Sequence, residues 1–138
     1  MANLNPVKTQ RILDLAKERG ALQFGEFKLS AGGTSSYYFD GRIITLDPEV
    51  GYYVAKVLIP ILKDCKAQAI AGPTLGADPI VSAVSVLSHI EGNPLPGLII
   101  RKETKGYGGK RNIEGPIGRI GKSARIAVVD DACTTASS

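Results

Sequence analysis

The chain has 138 residues, of which 43% are hydrophobic and 22% are charged. This length predicts a single domain with enough residues for a real core, and the composition is ordinary for a soluble globular protein. No apolar run approaches the ~20 residues that a membrane span needs, and residues 1–6 lack the basic and apolar regions of a signal peptide.

Residues that commonly bind metals or form disulfides are few. The chain has two cysteines, Cys65 and Cys133, and one histidine, His89, with no metal-ligand spacing among them. We therefore expect neither a zinc site nor a disulfide framework, and a cytoplasmic protein fits this cysteine usage.

The formal net charge of +4 is unevenly distributed. Residues 101–125 contain eight basic and two acidic side chains and so carry +6, which leaves −2 for the rest of the chain. Such a basic segment indicates a polyanionic ligand. Because Tyr107 is the only aromatic residue of this segment, a small diphosphate fits better than a nucleic acid. Neither a nucleic acid nor a membrane is expected as a partner.

The first third of the sequence predicts a helix followed by a β-hairpin. Asn5 and Pro6 are typical of a helix start, and Gly20 is a typical stop. Residues 21–29 then alternate loosely as a strand, residues 30–34 form a turn, and residues 35–44 return as a second strand.

The remainder predicts alternating helices and strands. A helix begins after the cap Asp47, and a second helix, capped by Asp78 with Pro79 as its first residue, extends to about residue 88. Strands are expected at residues 67–71, 98–101 and 125–130. The strand–helix–strand order predicts an α/β fold with a parallel sheet.

The last strand ends in two adjacent carboxylates, Asp130 and Asp131. Its apolar run predicts a strand buried on both faces, and open α/β sheets bind ligands at the carboxyl ends of such strands. The hydroxyl-rich residues 134–138 that follow can surround a phosphate, so the segment predicts a sugar-phosphate site. The alternative is a buried strand followed by a helix capped by Ser or Thr.

Four segments together resemble a known family. Residues 125–138 resemble the phosphoribosyl diphosphate (PRPP) motif of type I phosphoribosyltransferases, with Ala136 in place of the usual glycine. Residues 24–40, 72–79 and 101–115 resemble the hood, the diphosphate loop and the mobile catalytic loop of orotate phosphoribosyltransferases, with Tyr107 in place of the usual histidine. Taken singly, these segments could also be core aromatics of a hairpin, a glycine turn and a solvated basic loop.

The resemblance implies a Rossmann-like type I phosphoribosyltransferase fold. The single domain would comprise a hood at residues 1–46 and an incomplete α/β core at residues 47–138, lacking the family's C-terminal part. These 138 residues alone are therefore expected to have low activity. It also implies magnesium-dependent transfer of a phosphoribosyl group from PRPP to orotate, giving orotidine 5′-phosphate and diphosphate in pyrimidine (UMP) biosynthesis. A homodimer that shares the mobile loop across subunits is expected. The alternatives are a purine phosphoribosyltransferase or a non-catalytic relative that binds PRPP or nucleotide and regulates.

The same resemblance implies roles for individual residues. The catalytic residues would be Lys105, Asp130 and Asp131, and orotate would contact Tyr38, Phe39 and Thr134. Magnesium would be held mainly by PRPP, with Asp130 or Asp131 as the candidate protein ligand and none assigned directly. PRPP itself would be bound by a larger set, namely Arg101, Lys102, Lys105, Tyr107, Asp130, Asp131, Ala132, Cys133, Thr134, Thr135, Ala136, Ser137 and Ser138.

Overall fold

The computed structural model of the protein describes residues 4–30, 32–102 and 112–133. The chain opens with helix α1, Pro6–Glu18, which begins where the Asn5 side chain accepts a hydrogen bond from the Lys8 N–H at 3.1 Å. Strands β1, Leu22–Lys28, and β2, Thr34–Phe39, then pair antiparallel in a separate two-stranded sheet. The predicted helix and hairpin are confirmed.

The second predicted strand, however, is too long by five residues. It ends at Phe39, and residues 41–45 form the short helix α2, Gly41–Thr45. The physical reason is a cap at Asp40, whose carboxylate accepts the Arg42 N–H at 3.1 Å and so begins a helix. Ile44 of this helix is buried in a small cluster that joins the hood to the rest of the protein, formed by Leu15, Ala16, Ala21, Ile44 and Val50.

Helix α3, Pro48–Asp64, begins at the predicted cap, because the Asp47 carboxylate accepts the N–H groups of Glu49 and Val50. The following elements are β3, Ala69–Pro73; α4, Asp78–Ile90; β4, Gly97–Ile100; β5, Ile113–Glu114; a 3₁₀ turn, Ile117–Arg119; and β6, Ile126–Val128. His89 lies exposed on α4, and no helix among the described residues is long and apolar enough to cross a membrane.

The four-stranded sheet has the order β5-β4-β3-β6. β3 pairs parallel with both β4 and β6, as the strand–helix–strand pattern predicts. β5 pairs antiparallel with β4 and makes the sheet mixed. Sequence reasoning missed β5 because two residues are too short to show a strand period.

Helices α3 and α4 pack on one face of the sheet around Ile59, Ile70, Val81 and Val84. The prediction that the last strand is buried on both faces is wrong. Ala127 and Val129 pack against this core, whereas Val128 is 66% exposed. β6 is an edge strand in the described sheet, and within the described residues only its face toward the helices is well covered.

Candidate functional site

The carboxyl ends of the parallel strands lie together at one edge of the sheet. Thr74, directly after β3, donates its N–H to the carbonyl of Ile100 at 2.9 Å, and Val129, directly after β6, donates to the carbonyl of Ala71 at 2.9 Å. Three loops therefore start side by side, as expected for a parallel sheet. They carry the segments that sequence reasoning selected, which begin at Thr74, Arg101 and Asp130.

Asp130 and Asp131 form a hydrogen-bonded pair at the end of β6. The Asp131 N–H donates to the Asp130 carboxylate at 2.9 Å. Partial burial, together with a side-chain hydrogen bond to Asp130 and its negative charge, raises the pKa of Asp131 above its ordinary value. Two adjacent carboxylates at the open end of a sheet can accept sugar hydroxyls or face a cation, each of which would offset their repulsion.

Two glycines make room for the Asp131 carboxylate. A Cβ atom built on Gly76 would lie 2.1 Å from Asp131 Oδ1, and one built on Gly41 would lie 3.1 Å from Asp131 Oδ2. The first distance is far below van der Waals contact, so no side chain fits at Gly76 unless Asp131 moves. Sequence reasoning missed this role for both glycines, because neither lies near Asp131 in the chain.

A cavity of about 330 Å³ opens where the hood meets this pair of carboxylates. Its wall includes Tyr38 and Phe39, which are 47% and 38% exposed. The interpretation of these rings as core aromatics of the hairpin is therefore wrong. Tyr38 also contacts Phe27 with ring centroids 5.7 Å apart, which supports its position. The described residues that line the cavity are Tyr38, Phe39, Asp40, Gly41, Arg42, Leu75, Gly76, Asp131 and Ala132.

Arg42 is a lining residue that sequence reasoning did not select. Its Nε donates to Asp40 Oδ1 at 3.2 Å and its Nη2 donates to Asp40 Oδ2 at 3.4 Å. The hydrogen bond from Arg42 is the main cause that lowers the pKa of Asp40. The available signal was the Asp40–Gly41–Arg42 sequence, but the assignment of these residues to a strand concealed the cap and the position of Arg42.

A second cavity, of about 320 Å³, lies behind the first and shares Phe39, Gly41 and Asp131 with it. Its remaining wall is mainly apolar and comes from α2, α3 and α4. The Oγ1 atom of Thr45, one of its lining residues, is buried and has no hydrogen-bond partner among the described residues. Asp131 therefore borders both a polar cavity and a mostly apolar one.

The loop after β3 presents backbone donors to this region. Within the described chain, the N–H groups of Leu75 and Gly76 have no acceptor. Free N–H groups on consecutive residues are suited to bind an anion, as expected for the loop that resembles a diphosphate loop.

The expected cap at Asp78 is wrong. Asp78 is the first residue of α4, and the residue before it, Ala77, has no side chain that could cap the helix. The Asp78 carboxylate instead accepts a hydrogen bond from the Thr74 hydroxyl, with an oxygen–oxygen distance of 2.9 Å. That hydrogen bond fixes the loop to the helix start. The Asp78 carboxylate is thereby directed back toward Thr74 instead of toward the N–H groups of its own helix.

Arg101 and Lys102 lie directly after β4. The Arg101 N–H donates to the carbonyl of Asn112 at 2.7 Å, and its guanidinium forms an ion pair with Glu114 on β5 at 3.2 Å. Lys102 is exposed. β5 thus holds the start of the basic segment at the same edge of the sheet as Asp130.

The remaining predicted site residues fall into two groups. Ala132 lines the first cavity, and Cys133 is exposed beside it in the chain. The others lie outside the described residues: Lys105, Tyr107, Thr134, Thr135, Ala136, Ser137 and Ser138. Their roles stay predictions.

The carboxylates of the site could hold magnesium only together with oxygens of a substrate and water. The described residues contain no group of three or more His, Cys, Asp or Glu side chains that could hold a metal ion. Mg²⁺ in proteins commonly takes one or two carboxylates together with oxygens of a substrate phosphate and water. Asp130 and Asp131 match that arrangement.

A larger cavity, of about 800 Å³, is a groove along α4, lined by Val86, Pro94, Pro116 and Arg119 among others. None of the predicted site residues that the structure describes lines it. The position of the site is therefore indicated by the ends of the strands and by their side chains, not by the size of the opening.

Comparisons with known proteins agree with this geometry. No family model matches the chain. The orotate phosphoribosyltransferase of Nostoc sp. is 46% identical over 129 residues, which cover 94% of this chain and 61% of that relative. The chain thus spans about three fifths of the Nostoc protein.

Two further matches cover more of the known protein. The crystal structure of Mycobacterium tuberculosis orotate phosphoribosyltransferase in complex with Fe(III) dicitrate has a TM-score of 0.73 and 29% identity, covering 93% of this chain and 69% of that chain. The orotate phosphoribosyltransferase of Aquifex aeolicus is 40% identical over 134 residues, covering 96% of this chain and 72% of that relative. The strand order, the carboxylate pair and this similarity lead to one conclusion: the chain belongs to the orotate phosphoribosyltransferase family.

Proposed function

We propose that the protein transfers the phosphoribosyl group of PRPP to N1 of orotate, with release of diphosphate, as a step of pyrimidine (UMP) biosynthesis. One observation supports this proposal above all: the hood rings of Tyr38 and Phe39 and the carboxylate of Asp131 line the same cavity. The rings are suited to cover a flat base and the carboxylate is suited to hold ribose hydroxyls. The two reacting groups would thus meet in one place.

The reaction breaks the bond between C1′ of the ribose and the diphosphate oxygen, which leaves with the electron pair. The electron pair of N1 forms the new bond to C1′, and the N1 proton is released to solvent. Positive charge develops on the ribose and negative charge on the departing oxygens. The protein would act mainly by positioning and by electrostatics. Asp130 and Asp131 would orient the ribose, while Tyr38 and Phe39 would hold the base in line.

The departing diphosphate would be held from two sides. The free N–H groups of Leu75 and Gly76 offer neutral donors, and Arg101 offers a guanidinium that suits bidentate contact with phosphate. Lys102 and Lys105 would add point charges. Lys105 is assigned from the resemblance alone.

Magnesium is part of this proposal. When bound, it would neutralise charge on the diphosphate and so assist its departure. Asp130 or Asp131 would supply the protein ligand. A bound cation would counteract the raised pKa of Asp131, because it would favour the ionised carboxylate that partial burial and Asp130 disfavour.

The assembly and location of the protein are also proposed. A homodimer that shares the basic loop between subunits follows from the family resemblance and has no separate support in the geometry. A cytoplasmic location is supported by the two thiols, since Cys65 and Cys133 are both free and exposed.

Base choice tests the proposal. With PRPP and magnesium present, the protein extended by the family's C-terminal part should consume orotate, followed as loss of its ultraviolet absorbance, and should leave adenine, hypoxanthine, guanine and xanthine unchanged. Asp131→Asn should lower the rate strongly. Asp64→Asn, a matched change of an exposed carboxylate at the end of α3, should not.

Two results would contradict the proposal in different ways. Consumption of a purine would assign the protein to a purine phosphoribosyltransferase activity. Binding of PRPP without transfer to any base would favour a regulatory, non-catalytic relative.

A further inference from the structure

We infer that Arg42 determines specificity for the base by binding the carboxylate of orotate. This inference rests on the proposed function and adds to it a residue for the part of the base that distinguishes orotate from uracil. Arg42 lies in the first turn of α2, directly after the hood strand that carries Tyr38 and Phe39. Its side chain lines the same cavity as those two rings and is 54% exposed.

Asp40 holds the Arg42 guanidinium in place but occupies only some of its hydrogen-bond donors. Asp40 accepts one N–H from Nε and one from Nη2, and it also accepts the backbone N–H of Arg42. A guanidinium has five N–H groups. Among the described residues, both N–H groups of Nη1 and the second one of Nη2 therefore have no protein acceptor. Two of these parallel donors are the arrangement that binds a carboxylate in a bidentate manner.

The charges around the cavity favour this role for Arg42. Of the nine described residues that line it, Arg42 is the only basic one, whereas Asp40 and Asp131 are acidic. Asp40 and Asp131 both act on Arg42 electrostatically and favour its charged form. A planar ring that carries its own carboxylate would be repelled by Asp131 in the absence of Arg42. A neutral pyrimidine would not be.

The hood geometry also fits this role. Tyr38 and Phe39 offer ring surfaces, and Arg42 follows them after the turn at Asp40 and Gly41, so ring contact and charge contact come from one continuous segment. Asp40 both begins α2 and orients the guanidinium. A single local structure would thereby position both contacts to the base.

The test compares two nucleotides that differ only by the carboxylate, orotidine 5′-phosphate and uridine 5′-phosphate. Their dissociation constants are measured by calorimetry for the wild type and for Arg42→Gln, Arg42→Lys and Arg11→Gln. Arg11 is the matched control, because it is also an exposed arginine with a single carboxylate partner, Glu49. Circular dichroism of each variant confirms folding, which the backbone cap at Asp40 should preserve.

We expect the wild type to prefer orotidine 5′-phosphate and Arg42→Gln to reduce that preference by roughly tenfold or more, the usual effect of losing a hydrogen bond to a charged group. Binding of uridine 5′-phosphate should change less than about twofold, and Arg42→Lys should restore part of the preference. Arg11→Gln should match the wild type.

The outcomes separate the two proposals. An unchanged preference in Arg42→Gln, or equal weakening of both nucleotides, overturns the role of Arg42 while the transfer activity stands. Failure of the wild type, extended by the family's C-terminal part, to consume orotate overturns the proposed function itself, whatever the variants do.

Discussion

Replacement of Gly76 by alanine should disable the site without unfolding the protein. The new Cβ would lie 2.1 Å from Asp131 Oδ1, and ordinary contact begins near 3.4 Å, so the carboxylate has to move by about 1.3 Å. It can do so because Asp131 borders an open cavity. Displacement of a positioning group by about 1 Å can reduce a rate roughly 100-fold, which corresponds to about 2.7 kcal/mol of transition-state stabilisation.

The assay is the initial rate of orotate consumption with PRPP and magnesium, combined with thermal unfolding. We expect kcat/KM of Gly76→Ala to fall about 100-fold while Tm changes by only a few degrees. Gly118→Ala is the matched control, since a Cβ at Gly118 meets nothing within 4 Å. Full activity in Gly76→Ala would refute the argument that Asp131 must occupy its observed position. A large loss of Tm would show that Gly76 serves the fold and not the site.

Three further predictions concern other residues. Lys105→Ala should lower kcat roughly 100-fold or more and weaken PRPP binding much less, because the charge of the leaving group develops fully only in the transition state; steady-state kinetics would contradict this if the loss were in affinity alone. Tyr38→Ala should weaken orotate binding roughly 5- to 100-fold and leave PRPP binding nearly intact. Tyr37→Ala, the neighbouring ring that does not line the cavity, is its control in equilibrium binding. Asp131→Asn should raise Tm at about pH 7 and leave it nearly unchanged at about pH 3. The pKa of Asp131 is higher in the folded protein than in the unfolded chain. Ionisation of this carboxyl therefore lowers the stability of the folded protein as the pH rises from the unfolded pKa through the folded pKa. Asparagine does not ionise and so removes this loss of stability. An equal change of Tm at both pH values would contradict it.

Local patterns in the sequence predicted the starts of α1 and α3. Asn5 and Asp47 act as caps because a short polar side chain reaches the free N–H groups of the first turn, an interaction complete within three residues. The same local rule failed at Asp78, where a tertiary contact with Thr74 replaces the cap. It was overlooked at Asp40, where the aromatic strand before it favoured continued extension.

The position of the acidic pair was also predictable from sequence. An apolar run that ends in Asp130 and Asp131 predicts a strand with carboxylates at its end, and parallel sheets place ligands there. The burial of that strand was not predictable. Whether Val128 is covered depends on which element lies on the second face of the sheet, and an apolar run does not contain that information.

The sequence by itself therefore determined the fold class, the position of the acidic pair at a strand end and the resemblance to the family, because each depends on short segments whose residue types and spacing are sufficient. Only the tertiary structure brought Arg42, Gly41 and Gly76 to Asp131. Those contacts join the hood, the loop after β3 and the end of β6, three segments that are far apart in the chain. Their meeting is decided by strand order and by the packing of α2 and α3, which depend on the whole chain at once, and a local pattern cannot encode a contact whose partners are distant.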